Sequence, residues 1–323
     1  MSETCCHSAV NPHRGAGDRD VGRSLVSIER GPMVWIPGGT FLMGSNSFYR
    51  EERPVRRESV SGFWIDPHPV TNQEFAAFVE ATNYVTLAER DPDPALYPDA
   101  DPALLVPGSL VFQKPKGPVN PRHNHLWWAY VPGADWRHPR GPGSTILGRE
   151  AHPVVHIAHE DALAYAVWAG KELPTEAEWE FAARGGLEGA AYAWGDASNP
   201  NGLHMANTWQ GRFPWENLGE DGYEWTSPVG AFPPNGYGLY DMTGNVWEWT
   251  ASFYNAAPAS AQQSCCHSSN ASDPFVKRVV KGGSFLCAPN HCLRYRPAAR
   301  QGEAVDTSTC HIGFRCIARS ARA

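Results

Sequence analysis

The sequence predicts a single α+β domain with a low content of regular secondary structure, and three observations lead there. The chain of 323 residues holds 31 glycines and 28 prolines beside 13 tryptophans. Turn formers are therefore frequent, and large indoles supply the buried surface that long helices or strands would otherwise present. Helical patterning is confined to three short stretches, two of them opened by a capping box. The rest contains no internal repeat and no domain-splitting linker, and a chain of this length can form one large irregular domain.

Taken in order, residues 1–31 are polar and aperiodic and read as a flexible N-terminal tail, with the domain spanning 32–323. Met33–Gly44 predicts two short strands across Pro37-Gly38-Gly39, and Glu58–Trp64 predicts another strand. Thr71-Asn-Gln-Glu74 is a capping box, followed by Phe75, Phe78 and Val79 at helical spacing. Residues 85–150 carry Asp-Pro-Asp-Pro, Pro-Lys-Gly-Pro and Gly-Pro-Gly turns around Trp127 and Trp128; such long aperiodic stretches are often functional. A second helix is expected over Glu160–Gly170 with Leu163, Val167 and Trp168 on its apolar side. A third starts at the box Thr175–Glu178 and stops at Gly185-Gly186. Short strands and turns follow, with a Ser/Ala/Gln-rich surface loop at 255–273.

A formal net charge of −7 and a pI near 6.0 argue against nucleic acid or an anionic membrane as partner. No apolar run reaches the length of a bilayer span, and the N-terminus lacks the basic start and apolar segment of a signal peptide. The expected setting is the cytoplasm, where cysteines serve metals or catalysis more often than structural bridges.

Cys287 and Cys292 frame Ala288-Pro289-Asn290-His291. A strand would send positions five apart to opposite faces, and Pro289 bars a continuing helix while Asn290 favours a turn. A turn can bring both thiols to one side, as a disulfide or as a clamp for a soft metal. Two sulfurs are too few for a closed tetrahedral zinc site unless His291 joins them; thiolates prefer soft ions such as Cu(I).

The run Gly282-Gly-Ser-Phe-Leu-Cys287…Cys292-Leu-Arg-Tyr-Arg296, with Gly313-Phe-Arg-Cys316, resembles the formylglycine-generating enzymes, also called sulfatase-modifying factors. Trp136-Arg-His-Pro139 through Ser144-Thr-Ile146, Leu173–Glu180 and Gly236–Trp249 fit the same family, so the resemblance covers roughly residues 32–319. It implies the family's C-type-lectin-like α+β fold. It also implies copper- and O2-dependent oxidation of a cysteine, in a Cys-x-Pro-x-Arg segment of an unfolded sulfatase, to Cα-formylglycine. A thiol reductant takes part, and the enzyme is expected to be a monomer.

The resemblance assigns Cys287 and Cys292 to copper, Ser284 to an active-site serine, Trp247 to the pocket tryptophan and Arg300 to a pocket arginine. It further implies two calcium sites: Asn207, Thr208, Asp221 and Tyr223, then Asp241, Gly244, Val246 and Glu248. Hard oxygen donors on glycine-containing turns suit Ca2+. Ala288, His291 and His311 depart from the family's usual residues and put peptide preference in question. Cys316 is expected to be a buried free thiol and Cys310 to lie near the pocket, while His152, His156 and His159 are assigned to packing or hydrogen bonding. Cys5-Cys6-His7-Ser8 and Cys265-Cys266-His267-Ser268 repeat one tetrapeptide, read as exposed thiols rather than soft-metal capture. The alternatives are an iron-dependent oxidase or sulfoxide synthase of the same superfamily, or a non-catalytic binding module. Neither has a use for the paired thiols.

Overall fold

A computed structural model describes residues 32–120, 123–255 and 276–319. The expected tail, most of the 255–273 loop and both Cys-Cys-His-Ser tetrapeptides lie outside the described residues. The elements run β1 (Val34–Ile36), β2 (Gly39–Met43), β3 (Arg56–Val60), β4 (Phe63–Ile65), α1 (Asn72–Thr82), β5 (Gly108–Phe112) and β6 (Trp128–Pro132). There follow α2 (His159–Trp168), α3 (Glu176–Arg184), β7 (Trp247–Phe253), β8 (Lys277–Lys281), β9 (Arg300–Ala304), β10 (Ile312–Gly313) and β11 (Ile317–Arg319). They form sheets β1-β4-β11 and β10-β7-β8-β9 and the pairs β2-β3 and β5-β6. The fold is α+β with short elements, as the composition predicted.

The two capping boxes form. The Thr71 hydroxyl accepts from Glu74 N–H and the Glu74 carboxylate from Thr71 N–H, and Thr175 and Glu178 repeat the exchange. Phe75, Phe78 and Val79 are buried, and Gly185 ends α3 in the left-handed region.

Three details differ from expectation. β1 and β2 do not pair with each other: Ile36 lies opposite Phe63 and Gly39 opposite Val60. The predicted Glu58–Trp64 strand is accordingly split at Ser61-Gly62. The cause is a close crossing, because a Cβ on Gly38 would lie 2.7 Å from Gly62 N and 2.8 Å from Val60 O. The apolar face of α2 is the expected one only at Trp168, which packs against Phe78 and Tyr165. Leu163 and Val167 are 40% and 77% exposed, while Ala162, Tyr165 and Ala166 face the core. Asp161 fixes that rotation by accepting from Ala158 N–H, Leu87 N–H and the Tyr84 hydroxyl inside the protein. Finally, the aperiodic 85–150 stretch contains the antiparallel pair β5-β6, in register from Gly108 opposite Pro132 to Phe112 opposite Trp128.

Two parts of the core meet at the cysteine turn. One gathers Phe75, Phe78, Trp136, Tyr165, Trp247, Trp249 and Phe314 with Cys287 and Cys316. The other gathers Phe112, Trp127, Trp209, Phe213, Phe285, Leu286 and Ala288 with Cys310. Neighbouring residues 286, 287 and 288 thus point into different aromatic layers, which pins the turn. Buried cations are paired, as their desolvation requires: Lys281 and Arg184 with Glu180, Arg296 with Glu52, and Arg315 with Glu248.

Candidate active site

After β8 the chain doubles back through Gly282 and Gly283, both at positive φ. A Cβ on Gly283 would lie 2.8 Å from Tyr295 N, so only glycine lets the outgoing and returning strands touch. Two turns then follow. Cys287 N–H donates to Ser284 O at 2.9 Å, and Cys292 N–H to Ala288 O at 2.9 Å. They set Cys287 Sγ 3.2 Å from Cys292 Sγ, both as free thiols. Cys287 is buried and Cys292 half-buried, so the pair opens towards solvent on the Cys292 side.

The sulfurs are unequal. Burial, with the neighbouring sulfur, pushes the Cys287 thiol well above the usual range. The hydrogen bond from Cys287 and the nearby Arg294 guanidinium hold Cys292 below it. The pair therefore favours one proton, on Cys287, with Cys292 as thiolate. Ser284 N–H also faces Cys287 Sγ, at 3.4 Å. The Ser284 side chain is buried and its hydroxyl accepts from Leu286 N–H. A low-lying Cys292 thiol beside a Cys287 thiol that would give up its proton on binding is a donor set that fits a soft monovalent ion.

Three segments hold this turn. From one side, Trp209 N–H donates to Cys287 O at 3.0 Å, Asn290 donates to Gly211 O at 3.2 Å, and the His291 ring stacks on Phe213 at 4.4 Å. From another, Tyr49 accepts from Leu293 N–H at 2.9 Å and Glu51 binds Arg294 at 2.6 Å. From a third, Trp247 shares the core around Cys287 and donates its N–H to His311 O at 2.9 Å. His311 lies against Trp128 and bonds Thr309, and Ala288 is buried, so only His291 of the three departures is exposed. Cys310 lies in the aromatic layer with Leu286 and Ala288, and Cys316 is fully buried.

The turn brings Cys287, Cys292 and Ser284 together, with Trp247 in the same core. Arg300 is engaged by groups other than the sulfurs. Its guanidinium binds Glu176 at 2.7 and 3.0 Å and the carbonyls of Glu51 and Asn255. The arginine beside the sulfurs is Arg294, whose Nη1 lies 3.7 Å from Cys292 Sγ. Arg294 was not among the residues expected at the site, although a cation two residues from a candidate thiolate is a readable signal. Tyr49 and Glu51 carried none, being remote in the chain. His152, His156 and His159 engage Thr226, Ser109 with Pro139 O, and Thr250 O respectively.

The first calcium set has a feature that a cation would satisfy. Asn207 Oδ1 is buried without a hydrogen-bond partner, beside a loop in which Asp221 accepts from Thr208 and Tyr223 N–H. Gln210 bridges Thr208 O and the same carboxylate. The second set is engaged differently. Arg315 takes both Glu248 carboxylate oxygens and the carbonyls of Tyr240 and Asp241, while Asp241 accepts from Gly230 N–H. Among the described residues no group of three or more His, Cys, Asp or Glu side chains converges as a metal site.

An α+β domain that presents paired thiols on a braced turn defines the class, and residues 21–320 match the family described as Sulfatase-modifying factor enzyme 1-like domain. The chain belongs to that family, the formylglycine-generating enzymes. It is 56% identical to the formylglycine-generating enzyme of Mycobacterium tuberculosis over 293 residues, covering 88% of this chain and 97% of the relative. Against that of Thermomonospora curvata the identity is 49% over 303 residues, covering 92% and 96%. A relative named inactive C-alpha-formylglycine-generating enzyme 2, from Bos taurus, is 42% identical over 298 residues, covering 90% and 89%. The solved structure of PvdO from Pseudomonas aeruginosa shares the fold, with TM-score 0.58, 24% identity and coverage of 89% and 94%. Similarity thus spans relatives named for the activity and relatives named inactive.

Proposed function

We propose that this protein oxidises a cysteine in a Cys-x-Pro-x-Arg segment of an unfolded sulfatase to Cα-formylglycine, with Cu(I) held by Cys287 and Cys292. The observation that supports this most is the juxtaposition of two free sulfurs at 3.2 Å, one of them at the open edge of the turn. When bound, the soft ion takes thiolates in preference to harder donors and couples a closed-shell sulfur to O2. Overall, one substrate thiol, one O2 and two reductant thiols give the aldehyde, hydrogen sulfide, water and a disulfide. Two electrons come from the substrate and two from a thiol reductant that becomes a disulfide.

The chain's own part is placement. Cys287 is fixed from behind by Trp209 and the core, so the guest thiol approaches past Cys292. Ser284 and Trp247 close the inner side, and the exposed His291 ring, backed by Phe213, offers an aromatic surface to the peptide. We further propose that Ca2+ binds at Asn207 and Asp221 with the carbonyls of Thr208 and Tyr223, giving the orphaned Asn207 oxygen a partner. The reaction is placed in the cytoplasm, where the pair stays reduced.

The test is to incubate Cu(I)-loaded protein with a Cys-x-Pro-x-Arg peptide, O2 and a thiol, and to look for aldehyde by mass spectrometry. Wild type is expected to convert the peptide, and Cys287→Ala and Cys292→Ala to give essentially none. Equal conversion by either variant, or activity restored by iron in Cys287→Ser, overturns the proposal.

A further inference from the structure

We propose that Arg294 is the countercharge of the sulfur pair, offsetting the negative charge that two thiolates leave on a bound monovalent ion. The inference rests on the copper reading above and adds a residue that the family resemblance did not single out. Two thiolates and one monovalent cation leave one net negative charge in a half-buried place, and such a charge is costly unless a partner faces it. Among the described residues, Arg294 is the charged side chain within hydrogen-bond reach of either sulfur, with Nη1 3.7 Å from Cys292 Sγ. Its neighbours are committed elsewhere: Arg296 to Glu52 and Arg300 to Glu176.

The guanidinium is aimed rather than merely nearby. Nη2 donates to Glu51 Oε1 at 2.6 Å, and the group lies 3.9 Å over the Tyr49 ring. Tyr49 in turn accepts from Leu293 N–H, tying ring and cysteine turn together. With one edge on the carboxylate and one face on the ring, the remaining edge is left for sulfur. A planar fork can serve both acceptors at once. A guest thiolate would add a second negative charge, so this cation matters more once substrate has arrived.

The experiment is an anaerobic competition for Cu(I) between the full-length protein and a chromophoric Cu(I) chelator, at low salt. Arg294→Gln is expected to weaken Cu(I) binding by about tenfold, the scale of one charge-assisted contact. Arg319→Gln, which removes a cation paired with Glu178 rather than with the cysteine turn, is expected to stay within about threefold of wild type. Arg294→Gln matching wild type, with an unchanged melting curve, overturns the proposal. If Arg294→Gln does not fold, Arg294→Lys decides: a loss under about threefold supports a charge effect, and a larger loss overturns it. A wild type that binds Cu(I) no better than Cys292→Ala sinks the copper reading itself, which is a separate result.

Discussion

At the scale of single residues, the cysteine turn is zipped to the 48–52 segment by alternating contacts, and the innermost is a buried ion pair. Arg296 donates to Glu52 through Nη1 at 3.0 Å and through Nη2, with both side chains fully buried and the guanidinium 3.7 Å over Phe48. Such a pair gains little over apolar packing while both members are present, but removing one strands the other. Glu52→Gln is expected to cost about 3–5 kcal/mol in urea unfolding, and Glu52→Leu with Arg296→Met distinctly less. Equal losses in the single and double variants would argue that packing, not charge, holds this corner. The sulfur pair was legible in the sequence because both thiols and the turn residues between them sit in one short run. The Tyr49, Glu51 and Glu52 brace was not, because it is made by residues from the other end of the described chain.

At the scale of elements, what could be read depended on whether the deciding chemistry was local. The helix starts at Thr71 and Thr175 are set by side chains reaching their own backbone three residues away, so α1 and α3 begin where expected. The rotation of α2 is decided by what lies across from it, since its sequence carries apolar residues on two sides. The core accepts the Ala162, Tyr165 and Ala166 side, where Tyr165 meets Phe314 at 5.2 Å, and leaves Leu163 and Val167 outside. Val167→Lys is therefore expected to change stability by less than about 0.5 kcal/mol. Ala162→Leu, at a position with no exposure, should cost about 1–3 kcal/mol by overpacking. Thermal melts of the two variants check this; a large loss for Val167→Lys would restore the face that the spacing suggested. The splitting of the Glu58–Trp64 strand was equally illegible, because the Gly38–Gly62 contact joins segments on two paths.

At the scale of the whole molecule, a formal charge of −7 says nothing about which charges are inside, yet those set the response to acid. Two buried groups pull in opposite directions. Burial holds His156 neutral and lowers its pKa to about 4 from 6.5, with Ser109 and Pro139 O as partners. In acid the unfolded chain takes that proton before the folded one does, so stability present above pH 6.5 is lost as pH falls towards 4. Burial also raises Asp161, from 3.8 to about 6. There the folded chain takes the proton first, so its contribution is full below 3.8 and is lost as pH rises through 6. Each shift is worth about 3 kcal/mol. Chemical unfolding of wild type, His156→Gln and Asp161→Asn between pH 4 and 7 separates the two. The advantage of wild type over His156→Gln should shrink by about 3 kcal/mol as the solution is acidified, and its advantage over Asp161→Asn should grow by about as much. Two differences moving in the same direction would mean that one of these groups is hydrated in solution, and that the α2 corner, where Asp161 ties Tyr84 and Leu87 to the helix, is looser than its hydrogen bonds imply.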